Sequence, residues 1–164
     1  MESLWGVVDD YLQTELLARL GAADSLPVQA VYVWAQTDPS EWTSLPTPFL
    51  VIMSYQSRAV PAGHDGGPPK REQEYLVTVL SVVEGTSAVA TQNAKILAHR
   101  VEKTLASLPY GLEAADGSRA SRPRRGTNGA LFTTRVELYP RPSQQPNQKY
   151  GVAVTAFTVP GITV

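Results

Sequence analysis

The sequence predicts a single α+β domain: an antiparallel or mixed sheet of about five strands, with two helices packed on one face. Three observations predict it. Hydrophobic residues change period along the chain in the order α-β-β-β-α-β-β. Strands that arrive as three, then a helix, then two, favour antiparallel neighbours with the helices gathered on one side. At 164 residues and 43% hydrophobic, 1–164 can bury one ordinary core and reads as one domain.

Residues 3 to about 20 read as the first helix, with Ser3 to cap it and Gly21 to end it. Leu4, Val8, Leu12 and Leu16 recur every four residues, and Val7, Tyr11, Leu17 and Leu20 widen the stripe. At 3.6 residues per turn such a stripe drifts around the helix. It suits a shallow groove in the chain's own domain. A sharper reading has part of it, Trp5 with Leu16 and Leu20, meeting a neighbouring subunit.

Val28 to Ala35 alternates as a strand, and the prolines of Thr37–Pro48 mark a loop. Phe49–Ser57, apolar on both faces at first and polar on one later, and Tyr75–Val83 are the next strands, and strands apolar on both faces are central or doubly covered. Between them, loop 59–71 carries Gly63-His64-Asp65-Gly66-Gly67-Pro68-Pro69 and reads as an extended hairpin tip. Gly85-Thr86-Ser87 breaks the chain and caps a second helix that Pro109 closes. Its stripe is Val89, Ile96, Leu97, Val101, Leu105 and Leu108, padded by alanines. Loop 111–129 is rich in Gly, Ser and Arg, and is expected to be disordered in an isolated subunit. Leu131–Tyr139 and Tyr150–Val159 are the last strands, joined by the polar loop from Pro140 to Gln148.

A net charge of −1 excludes a globally basic nucleic-acid binder but allows a local basic patch. Without cysteine there is no disulfide framework and no thiolate metal site. The start, Met1-Glu2-Ser3-Leu4-Trp5, lacks the basic, then apolar, pattern of a secretory signal. No window approaches the ~18 apolar residues of a membrane span. The reading is of a soluble protein, made where it is used, with no membrane partner.

Candidate chemistry is sparse. His64-Asp65 sits in a Gly/Pro loop with no nucleophile or metal presented to it. His99 has Lys95, Glu102 and Lys103 around it, a poor setting for a cation. Glu72 and Glu74 share a face but have Lys70 and Arg71 beside them, which reads as a solvated strand edge. Arg119, Arg122, Arg124 and Arg125 are the strongest local charge signal, because guanidinium groups bind phosphate or carboxylate in pairs of hydrogen bonds. No catalytic, cofactor-binding or metal-ligating residue is assigned, and no cofactor is expected.

The order of elements, from the capped first helix through Val28–Ala35, Phe49–Ser57, Tyr75–Val83, Thr86–Leu108, Leu131–Tyr139 and Tyr150–Val159, resembles the tail terminator (tail completion) proteins of long-tailed bacteriophages. The resemblance implies a non-enzymatic α+β subunit forming a homo-oligomeric, hexameric ring. That ring would cap the tail tube, end its growth and provide the head-joining surface. Implied partners are further copies of the chain, the tail tube protein, head–tail connector proteins and DNA passing through the lumen. The implied location is the virion tail or neck, after assembly in the bacterial cytoplasm. Trp5, Leu16, Leu20, Arg119, Arg122, Arg124 and Arg125 are the expected partner contacts. Another connector or minor tail subunit is the nearest alternative. A small-molecule or peptide-binding module with a pocket near Trp34, Trp42 and Tyr55 is the alternative of a different class.

Overall fold

The computed structural model describes residues 3–34, 37–61, 71–126, 128–141 and 147–163. Helix α1 (Leu4–Leu20) starts where the Ser3 side chain accepts a hydrogen bond from the Gly6 N–H at 3.2 Å, and stops at Gly21. It buries Leu4, Val8, Leu12, Leu16 and Leu20, so the drifting stripe is used along its whole length. The drift matches a change of partner. Leu4 lies against Gly161 near the end of the last strand, whereas Gln13, further along, donates to the backbone of Val31 in β1 (Ala30–Val33).

Helix α2 (Ser87–Ser107) begins at Thr86, whose hydroxyl accepts from the Val89 N–H. Its buried face is Ala90, Ala94, Leu97, Ala98, Val101 and Leu105. Val89 is a correction to the expected stripe, since it is 49% exposed and Ala90 faces the sheet instead. The reason is a close approach. A Cβ on Gly151 would come within 2.4 Å of the Ala90 carbonyl oxygen, so only small groups fit between helix and sheet.

The sheet has seven strands: β1, β2 (Phe49–Pro61), β3 (Arg71–Gly85), β4 (Leu112–Glu113), β5 (Arg119–Ala120), β6 (Thr133–Pro140) and β7 (Lys149–Thr163). Their order is β1-β2-β3-β7-β5-β4, with β6 also paired to β7. β1 runs parallel to β2 and every other pairing is antiparallel, so the sheet is mixed. The fold class is the expected α+β, with both helices packed into one core cluster on one face.

Three differences from the sequence reading have local causes. β2 and β3 run to Pro61 and from Arg71, entering the range read as loop 59–71. Residues 62–70, with His64 and Asp65, lie outside the described residues. β3 is flanked by β2 and β7 throughout, so Glu72 and Glu74 stand on a central strand and not on an edge. Loop 111–129 contains the β4–β5 hairpin, with Ala114, Ser118 and Ala120 buried. Its turn is Asp116-Gly117: Gly117 has φ +88°, and the Asp116 carboxylate accepts from the Ser118 N–H at 2.8 Å. A few alternating small apolar residues are enough to dock it on β7.

Candidate interaction face

Alternation along the central strands sends Leu50, Ile52, Val77, Val79, Ala153 and Phe157 towards the helices. The neighbouring positions, Phe49, Val51, Val82, Tyr150, Val152 and Val154, form a second cluster on the opposite face. Among the described residues no α-helix covers that side. Its only lid among the described residues is the 3₁₀ turn Pro39–Ser44, started by Asp38, whose carboxylate accepts from the Ser40 N–H at 3.0 Å. That hydrogen bond holds the Asp38 pKa below its ordinary value. The turn lays Trp42 edge-on against Phe49, with ring centroids 5.5 Å apart, and Tyr32 meets the same ring at 5.9 Å.

Beyond the turn the sheet is left as an open cleft of ≈ 820 Å³. Trp42, Met53, Tyr55, Leu80, Tyr139 and Val154 are among its walls. The floor is apolar and the rim on β6 is charged. Arg135 donates to Glu137 at 2.7 Å and the Tyr139 hydroxyl donates to the same carboxylate. Those two donors, Tyr139 first, keep the Glu137 pKa below the usual carboxylate range.

At the far end of β3, the Arg124 backbone bridges to Thr158 of β7, and its guanidinium binds both Glu72 and Glu74, the latter at 3.0 Å. This arginine therefore clasps its own sheet. All three side chains are partly exposed, so the clasp stabilises the fold by at most about 1 kcal/mol. Arg124→Gln should leave global stability nearly unchanged while hydrogen exchange speeds up in residues 121–126. Unchanged exchange there would show that the clasp holds nothing.

The other arginines have different partners. Arg119 pairs loosely with Glu113 at 3.5 Å, and Arg125 donates to the Gly129 carbonyl at 2.7 Å. Arg122 is exposed. Leu16 and Leu20 are 0% and 5% exposed, inside the chain's own core, which corrects their reading as partner contacts. Trp5 is half-buried, edge-on to Tyr75 at 4.9 Å. Of the aromatic group Trp34, Trp42 and Tyr55, the last two line the cleft; Trp34 is 42% exposed outside its lining. His99 is exposed on α2, as the sequence suggests. Among the described residues, no group of His, Cys, Asp and Glu could hold a metal ion.

Beneath α1, Ser54 accepts the Trp5 indole N–H and donates to the Asp9 carboxylate. Burial raises the Asp9 pKa from an ordinary 3.8, against the hydrogen bond from Ser54, which lowers it. The native state thus holds this proton more tightly than the unfolded chain. The associated stability is full below 3.8 and is lost as pH climbs from there through the raised folded value. Asp9→Asn removes that titration. In urea denaturation, the variant should gain on the parent between acid and neutral pH, whereas a constant difference would rule Asp9 out as the source.

No protein-family model matches the chain, and no curated protein matches it. Among solved structures, the chain is similar to one in the virion of a native gene transfer agent particle. The two share 17% identity over 91% of this chain and 94% of that one, with a TM-score of 0.38. At that level nothing about function is carried across.

Proposed function

We propose that the chain is a non-enzymatic structural subunit of a phage-type particle, and that its role is that of a tail terminator. In this reading, copies join into a ring, six being the number the resemblance implies. The ring caps the tail tube, ends its growth and offers the head-joining surface. The observation behind the proposal is the unequal sheet. One face is sealed by two helices, while the other leaves an aromatic-walled, apolar cleft open to solvent. Contiguous apolar surface of this kind marks a place where another molecule sits, and Trp42, Met53, Leu80, Val152 and Val154 supply it here. With the two-residue strands β4 and β5 set aside, the elements follow the order on which the resemblance rests, which supports the reading.

The tube protein, connector proteins and DNA in the lumen are the proposed partners, and the virion neck is the proposed location. Light scattering combined with negative-stain imaging tests the reading. Closed rings, or binding of the subunit to the ends of tail tubes, are the expected result. A monomer at every concentration that ignores tube ends would sink it.

The cleft itself favours one second reading, a small-molecule or peptide-binding module, because Trp42 and Tyr55 converge there with Arg135 and Glu137 on the rim. Such a module would stay monomeric and gain thermal stability when its ligand is added.

A further inference from the structure

β6 is an edge strand. Its inner side pairs with β7 from Thr133 to Pro140, and among the described residues no element pairs with its outer side. Leu138 and Tyr139 are 43% and 46% exposed. An open strand edge is a template for another strand, and natural edges are commonly guarded by charge. Here the charges do not guard. Arg135 and Glu137 are of opposite sign, two positions apart, and point to the same face, where both line the cleft.

We propose that β6 pairs with the β6 of a second copy, antiparallel about a twofold axis at Val136. That register sets Arg135 opposite the second copy's Glu137, and Glu137 opposite its Arg135. Both cross-strand pairs are therefore attractive, and both lie on the same face. On the other face, Val136 meets its own equivalent and Thr134 stands opposite Leu138. Tyr139 falls opposite Thr133, which covers the exposed ring. Pro140 has no N–H and ends the ladder there. The two clefts then border one continuous sheet. The symmetry of the charges favours a second copy as the partner, because a strand bearing the same spaced pair in reverse direction sets an opposite charge across from each ion.

A twofold contact joins two subunits and cannot by itself close a ring of one-way contacts. The pairing therefore stands apart from the ring proposed above. Sedimentation analysis of Arg135→Glu, Glu137→Arg, the double exchange and a mixture of the two single variants tests it. The parent should dimerise. Each single variant places like charges opposite one another and should associate roughly tenfold more weakly, or worse. The double exchange should recover, and so should the mixture, in which an all-acidic strand meets an all-basic one. The mixture is the decisive arm, since the Arg135–Glu137 contact within one chain cannot account for recovery between two.

Circular dichroism checks that each variant is folded; should a charge variant unfold, Leu138→Lys must weaken association in its place. A parent that stays monomeric up to about millimolar concentration would overturn the pairing. So would single variants that associate like the parent, or a mixture that fails to recover. A ring whose mass ignores every variant also overturns it while leaving the tail reading intact. A dimer that never binds tube ends does the reverse.

Discussion

Gly151→Ala should lower the melting temperature by roughly 5–10 °C, the largest effect expected of so small a change. The added Cβ would stand 2.4 Å from the Ala90 carbonyl oxygen and 2.8 Å from its carbon, distances no real Cβ contact keeps. The obstacle is helix backbone, so no rotamer can swing away. Either α2 lifts from β7 or β7 bends, and each loses packing along the row Ala90, Ala94, Leu97. Overpacking of this kind costs about 1–3 kcal/mol. Gly151 has no unusual φ, so the clash alone carries the effect. A calorimetric melt that matches the parent would mean that α2 rides further from the sheet than described.

Leu16→Ala should cost about 2–5 kcal/mol, against about 0.5 kcal/mol or less for its neighbour in Leu17→Ala. Leu16 is fully buried and belongs to the core shared by both helices, whereas Leu17 is 41% exposed. Denaturant unfolding of the two variants side by side measures the contrast. It also separates two meanings of the same sequence stripe. A leucine held for a partner would spare the fold and weaken assembly, but Leu16 should weaken the fold first. Equal, small losses from both substitutions would return Leu16 to the interface.

Much of the architecture was legible because the periods are clean. Both helix caps, Ser3 and Thr86, stand where short polar side chains precede an apolar run. The fold class followed from element order. What escaped has physical reasons. The β4–β5 hairpin needs only Leu112, Ala114 and Ala120 plus an Asp-Gly turn, too little apolar area to register against the surrounding Ser and Arg. Leu16 and Leu20 admit an outward reading beside the own-domain groove because a drifting stripe looks too wide for one groove, until the groove itself is seen to change partner along the helix. The four arginines read as one charge signal because the sequence alone does not show which of them have acidic partners. Glu72, Glu74 and Glu113 had already claimed two of them. The cleft was half visible. Leu76 and Leu80 alternate with Val77 and Val79, so both faces of β3 are apolar. Two helices can seal only one, and Trp42 and Tyr55 marked the other.

β7 has a temporal consequence. It is the strand on which β3, β5 and β6 all pair, and it follows every one of them in the chain. A nascent polypeptide can close the β2–β3 hairpin and wind both helices early, yet it holds an unfinished half-sheet until β7 arrives. The last pairing also spans the greatest loops, which makes it slow to find. During that interval the inner edge of β3 is bare, and strand edges exposed while a chain waits are where misassembly starts. Refolding should therefore be governed by how quickly residues 149–163 reach β3, and a chaperone that shelters the waiting edge would help more than one that hastens the helices.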